Sequence, residues 1–396
     1  MNPSQRIPGY RALHSPGPTR VPDEVLHAMS RQPMDLADPR VDQAIAACET
    51  GLKRLLQTTS AKVFMYAANG HGAWEAVIAN LVAPGQTVLV PGTGHFSESW
   101  AVQTEALGGL VVRTPCVEGY ALDTDAVERA LRADTGRAIV AVFAVHTDTA
   151  SSLTSNLAAL RAAMDASGHP ALLVVDVVAS LGAAPFAMDA SGANVVLGAS
   201  QKGLMVHPGL CFVAPDAAAM AVAARNLTPR FYWDWQLRDS PLSYRKFCGT
   251  PPQGLVMGLE ASLALIFSEG HEQVIARHRL VADAVHAAVA QWSEGGALQF
   301  FGREPASRSV SVTTVAVAPG IDPEAMRTVA REQFQVAIAG GLGPLTGRAF
   351  RIGHLGDMNV SMILGCLAGV EAAMTVCGIA FGQGGVEKAV ARLAQG

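Results

Sequence analysis

The sequence predicts an α/β fold: a large domain built on a mostly parallel sheet, followed by a smaller C-terminal α+β domain. Three observations predict it. Short β-rich runs alternate with helical patterns through the first two-thirds of the chain, as strand–helix–strand crossovers require. Most of these runs are continuously apolar, which fits strands covered on both faces. The pattern then changes after Thr250-Pro251-Pro252. With 396 residues, 50% of them apolar and 16% charged, the chain has ample material for a large core, and a disordered or fibrous class is excluded.

Taken in order, residues 1–20 read as an N-terminal arm without the apolar run of a secretory signal. A short apolar run at 63–66 leads into the turn Asn69-Gly70-His71-Gly72, which opens a helix with Trp74, Val77, Ile78 and Leu81 on one stripe. Strands are predicted at 87–90, 138–145, 172–176, 194–197 and 210–213. Between the second and third lies a helix with Leu157, Leu160 and Met164 on its stripe, capped by Thr154 or Ser155 and stopped by Gly168-His169-Pro170. After residue 252 come helices at 255–267 and 273–292, a strand at 311–317 and a glycine-rich turn at 340–343. The predicted division is therefore an arm at 1–20, a large domain at 21–254 and a small domain at 255–396.

The apolar stretch 362–381 is read as a packed helix. Ile363, Leu367, Val370, Met374 and Cys377 form a stripe, and Glu371 would be costly inside a bilayer. No membrane partner is expected. With 29 Lys and Arg against 33 Asp and Glu, the net charge of −4 carries no footprint for nucleic acid. Six scattered cysteines without a CxxC pair read as reduced thiols of a cytoplasmic protein.

Three features carry chemistry. The Asn69–Gly72 turn feeding a helix N-terminus offers free backbone N–H groups to an anion, although alone it is equally a plain structural turn. Asp176 ends an apolar strand, where a carboxylate needs a cationic partner, a helix cap or an ion pair. Lys202, in Ser200-Gln201-Lys202-Gly203, follows another strand, and desolvation there would make its amine a usable nucleophile; a surface lysine is the competing reading. An anion cradle, a carboxylate for a pyridine nitrogen and a Schiff-base lysine are together what pyridoxal phosphate requires.

The order of these motifs resembles the class V aminotransferases of fold type I, in particular the alanine–glyoxylate, serine–glyoxylate and aspartate–glyoxylate enzymes. The resemblance runs from Ser15-Pro16-Gly17-Pro18-Thr19 through Asp176-Val177-Val178-Ala179-Ser180-Leu181-Gly182, Gly198-Ala199-Ser200-Gln201-Lys202-Gly203-Leu204 and Thr250-Pro251-Pro252 to Arg351-Ile352-Gly353-His354. It implies a fold-type I pyridoxal-phosphate transferase with a seven-stranded type of sheet. Lys202 would carry the cofactor, and Asp176 would meet its ring nitrogen. Phe96 and Val178 would cover the two ring faces, with Thr149 on the phenolic-oxygen side. Asn69, Gly70, His71 and Gln201 would hold the phosphate, completed by Thr250 of a neighbouring subunit in a homodimer. Arg351 would clamp the substrate α-carboxylate, a task suited to its planar fork.

The chain also departs from the family pattern. Asn69 replaces the usual Ser or Thr of the phosphate turn, Phe247 a Tyr, and Arg20 an Asn; Leu36-Ala37-Asp38-Pro39 stands where a His-Arg pair is common. Arg20 is thereby a candidate second cation for an acidic substrate side chain. The implied activity is transfer of an amino group from serine, alanine or aspartate to a 2-oxo acid such as glyoxylate or pyruvate. The alternative is a pyridoxal-phosphate lyase or other class V enzyme acting on an unusual amino acid. A relative that takes the vitamin itself as substrate carries an acidic residue where this chain has Asn69. A nicotinamide dehydrogenase is excluded because the Gly70 turn lacks GxGxxG.

Overall fold

The computed structural model describes residues 9–395. Its larger sheet has seven strands in the order Phe64–Tyr66, Cys211–Pro215, Val195–Ala199, Leu172–Asp176, Ile139–Val145, Thr87–Val90, Leu110–Arg113. The last five run parallel, and Cys211–Pro215 is antiparallel to both its neighbours. The central strands are buried along nearly their whole length, as their continuous apolar runs predict. Two separate apolar clusters cover the sheet's faces. One holds Leu173, Val175 and Val196, the other Val174, Val195 and Leu197, so successive residues point to opposite sides.

A second sheet of five strands follows the order Ala12–His14, Val336–Gly340, Ala349–Gly353, Val312–Val317, Leu298–Phe300. Its first strand belongs to the segment predicted as an arm. Ala12–His14 pairs parallel with Val336–Gly340, so the N-terminal segment is a strand of the smaller unit. The predicted boundary near residue 255 also shifts in packing terms. Helix Gln253–Glu269 places Val256, Leu259, Leu263 and Ile266 in the same cluster as Val25, Ile45 and Leu52 of the large unit. The small unit's own core starts with helix His271–Ser293, through Val281, Val285 and Trp292.

Helix Leu157–Ser167 forms as predicted and ends on Gly168, whose φ of +63° is the left-handed conformation glycine tolerates. Its cap is Asn156, not Thr154 or Ser155. Asn156 Oδ1 accepts from Ala159 N at 3.0 Å, while the Thr154 hydroxyl pairs with Thr147 at 2.9 Å and that of Ser155 with the Val145 carbonyl at 3.2 Å. In helix Val360–Val376 the stripe Ile363, Leu367, Val370 and Met374 is buried, and Cys377 lies just past its end. Among the described residues no helix is long and apolar enough to cross a membrane.

Candidate active site

Parallel strands deliver their carboxyl ends to one rim of the sheet, and the predicted chemistry collects there. Asp176 ends strand Leu172–Asp176, Lys202 follows Val195–Ala199, and Thr149 follows Ile139–Val145. Phe96 opens the helix after Thr87–Val90, and Asn69 caps the helix after Phe64–Tyr66. Together these loops enclose a pocket of about 270 Å³ lined by Asn69, Gly70, His71, Phe96, Thr149, Asp176, Val178, Gln201 and Lys202, with Trp74, Thr147, Gly17 and Pro18.

At the anion end, Asn69 Oδ1 accepts from Gly72 N at 3.2 Å and caps helix Gly70–Leu81. The cap uses the oxygen and leaves the amide hydrogens for a ligand. Helix N-termini present unsatisfied N–H groups, and here they open on the pocket with the carboxamide of Gln201 beside them. Gln201 Oε1 is buried without a partner among the described residues, so nothing in the chain fixes the amide's orientation and its NH2 is free to turn to an anion as donor.

Asp176 and Lys202 form the reactive pair. Burial pushes the Asp176 carboxyl up to about 6, opposed by Val178 N on Oδ1 and Trp74 Nε1 on Oδ2, both at 2.7 Å. Burial, then the charge of Arg351, brings the Lys202 amine down to about 8. That amine donates to the Pro16 carbonyl, and a Cβ on Gly17 would overlap it. The segment is tied there by Thr19, whose N–H donates to the Gln201 carbonyl at 3.1 Å and whose hydroxyl donates to the Lys202 carbonyl at 3.0 Å. Glycine at 17, with φ of +129°, lets the N-terminal strand segment cross over the lysine.

Three predicted site residues lie outside the pocket lining. Arg351 is beside it: Nε donates to the Gly340 carbonyl at 2.7 Å and Nη1 to the Thr149 carbonyl at 2.9 Å, and burial lowers its pKa to about 10. Thr250 is solvent-exposed in the single chain. Arg20 does not line the pocket in the single chain, and its guanidinium sits in an exposed ion pair with Asp357 at 2.9 Å, with Asp23 close by. Two residues were not read as functional. Trp74 was assigned to a core stripe, yet it bonds Asp176; its only sequence signal is that a buried indole N–H seeks an acceptor. Asp148, fully buried, accepts from Phe96 N and Ala150 N, both at 2.8 Å, and so joins the start of the Phe96 helix to the Thr149 loop.

A buried carboxylate, a desolvated lysine and a helix N-terminus open to an anion, all facing one pocket, are a donor set that fits pyridoxal phosphate on a fold-type I scaffold. The sequence profile of aminotransferase class-V matches residues 11–347, and the chain belongs to that family. It is an aminotransferase whose cofactor is pyridoxal phosphate. The chain is 38% identical to an L-aspartate–glyoxylate aminotransferase of Paracoccus denitrificans (strain Pd 1222), over 92% of this chain and 91% of that one. It is 36% identical to a serine–glyoxylate aminotransferase of Methylorubrum extorquens, over 94% and 93%. The crystal structure of the ureidoglycine–glyoxylate aminotransferase from Bacillus subtilis superposes with a TM-score of 0.89 at 26% identity, covering 99% of this chain and 100% of that one.

Proposed function

We propose that this aminotransferase moves the amino group of a small amino acid (serine, alanine or aspartate) to glyoxylate or pyruvate, as a cytoplasmic homodimer. The observation that carries the reading is the Lys202–Asp176 pair in one pocket with Arg351 beside it. The names of the relatives supply the acceptor.

Pyridoxal phosphate, held by Asn69, Gly70, His71 and Gln201 at its phosphate and by Asp176 at its ring nitrogen, supplies an electrophilic carbon and an electron-withdrawing ring. Arg351 spends two of its five N–H donors on backbone carbonyls and presents the others to the donor's α-carboxylate. Lys202, whose amine is brought down to about 8 by burial, would in its neutral form be the base that takes and returns the proton at the substrate α-carbon. Asp176, charged above about 6, keeps the proton on the ring nitrogen. Phe96 and Val178 exclude water from the two ring faces.

The dimer is supported by exposed apolar side chains in the segment leading up to Thr250: Leu227 at 91%, Phe231 at 71%, Tyr244 at 59% and Leu242 at 58%. A monomer seldom leaves such a group uncovered. A second copy covering them would bring its Thr250 to the phosphate end. Cytoplasmic placement rests on the six unpaired cysteines.

The test is to incubate the holoenzyme with glyoxylate and one amino acid at a time, following glycine and the new 2-oxo acid by chromatography. Stoichiometric glycine with hydroxypyruvate, pyruvate or oxaloacetate is the expected result. Release of ammonia or an aldehyde in place of glycine would overturn the reading in favour of a lyase.

A further inference from the structure

We infer that Trp74 is a positioning residue for the cofactor: its single buried indole N–H holds the Asp176 carboxylate fixed and charged, and its ring braces the residues at the ring face and the phosphate turn. The inference rests on the reading of Asp176 as the partner of the ring nitrogen. Trp74 lies in helix Gly70–Leu81, which begins at the phosphate turn, and is 2% exposed. Its Nε1 donates to Asp176 Oδ2 at 2.7 Å while Val178 N donates to Oδ1 at 2.7 Å. Each carboxylate oxygen is thus held by one donor, so the group cannot turn, and its remaining lone pairs are left for the pocket.

The indole is itself immobilised. It stacks on Trp100 with centroids 5.4 Å apart at 9°, and Trp100 stacks on Phe143 of the central strand at 4.6 Å and 14°. Its edges meet His71 of the phosphate turn at 4.5 Å and Phe96 at 6.3 Å. One side chain therefore touches three residues expected to hold the cofactor at three different points. Burial alone does not explain the N–H bond, because the equally buried indoles of Trp100 and Trp235 leave their N–H groups without a partner.

The charged and titratable groups around Asp176 come from every neighbouring element. Lys202 favours its charged form and Asp148 disfavours it. His146, on the adjacent strand end, donates its backbone N–H to the Asp176 carbonyl at 2.9 Å and turns its ring to Ser180 at 2.9 Å. Against the desolvation of this site, the Val178 N–H and the Trp74 indole are the two donors that stabilise the carboxylate. A weaker donor set leaves the shared proton more on the carboxyl and less on the ring nitrogen.

The experiment loads Trp74→Phe, Trp100→Phe and Asp176→Asn with cofactor labelled with ¹⁵N at the ring nitrogen and reads that resonance, alongside the pH profile of amino transfer. In Trp74→Phe the resonance is expected to move toward the unprotonated position and the acidic limb to rise by about one pH unit. Trp100→Phe, which deletes an N–H that bonds nothing, is expected to leave the resonance in place. An unchanged resonance in Trp74→Phe, or an equal shift in Trp100→Phe, overturns the inference while Asp176→Asn still shows ring deprotonation. If Asp176→Asn leaves the ring protonated, Asp176 is not the partner and the inference falls with that reading. Should Trp74→Phe not fold, the unsubstituted apoprotein labelled at its indole nitrogens decides: one indole N–H is expected far downfield and displaced in Asp176→Asn, and no responding indole overturns the inference.

Discussion

The same burial acts on Asp176 and Lys202 and disfavours the charged form of each, and that fixes the pH behaviour of cofactor capture. Lys202 is neutral above about 8 in place of its ordinary 10.5, so attack on the aldehyde is expected to accelerate with a midpoint near 8. Stopped-flow mixing of apoprotein with pyridoxal phosphate would show this as the visible band appears; a midpoint near 10 would place the amine in solvent. Lys202→Ala is expected to lose the band altogether. For Arg351→Ala the expected result is retained cofactor colour with kcat/KM lowered by about a hundredfold, the loss of one charged clamp; steady-state kinetics with the band monitored separates this from cofactor loss. Asp176 and Lys202 were legible in the sequence because each is a polar residue set against an apolar strand. Trp74 was not, because its helical period places it correctly in the core while its N–H acceptor lies 102 residues away. The ion partner of Arg20 was not legible for a related reason, since Asp357 lies 337 residues further on.

At the scale of an element, helix Gly70–Leu81 has its cap at the end that opens on the pocket, and Asn69 both caps it and lines the pocket. Two substitutions separate the roles. Asn69→Ala removes the cap and is expected to cost ~1 kcal/mol of apoprotein stability in urea unfolding. Asn69→Asp keeps a good capping oxygen but sets a negative charge against the phosphate, so apoprotein stability is expected to hold while cofactor affinity falls about tenfold or more. Equal stability losses in the two variants, with cofactor affinity untouched, would remove Asn69 from the phosphate site. Strands were legible at this scale because burial on both faces writes itself as a continuous apolar run. The cap of Leu157–Ser167 was not, since Thr154, Ser155 and Asn156 are all competent and only tertiary bonds to Thr147 and Val145 select the third. Helix Gln253–Glu269 showed its apolar content but not which core would receive it.

Across the whole molecule, the N-terminal segment joins the small sheet to Lys202, and a group of histidines, three buried and His286 half-buried, sits at that join. His14 is on strand Ala12–His14, His278 and His286 are on helix His271–Ser293, and His354 follows strand Ala349–Gly353. His278 donates from Nδ1 to the Val274 carbonyl at 2.7 Å and accepts from Gly356 N at 3.0 Å, which requires a neutral ring. His354 is held between the Val310 carbonyl and the Thr313 hydroxyl, and its rim contact with His286 leaves no room for a second charge. Neither ring nitrogen of His14 finds a well-formed hydrogen bond among the described residues. Burial lowers His14, His278 and His286 from 6.5 to about 4, and holds His354 well below 6.5. The unfolded chain therefore binds more protons than the folded one between those values. The stability these groups leave intact above 6.5 is lost as pH falls toward 4, at about 1.4 kcal/mol per unit for each histidine. Asp176 acts in the opposite sense, since its raised carboxyl takes up a proton in the folded state from about 6 downward. Asp148, also raised by burial, adds to Asp176, and His146, lowered to about 4, adds to the histidines, which outnumber the two carboxyls and set the net direction as a loss of stability toward acid. The urea midpoint of the apoprotein is expected to fall steeply between pH 6.5 and 4.5. His14→Phe, which replaces an unbonded ring by an apolar one of similar shape, is expected to be near neutral at pH 7.5 and to flatten that slope. A midpoint that does not depend on pH across this window, or a slope that His14→Phe leaves as steep as before, would show that the join tolerates charge and that the histidines are not what makes it sensitive to acid.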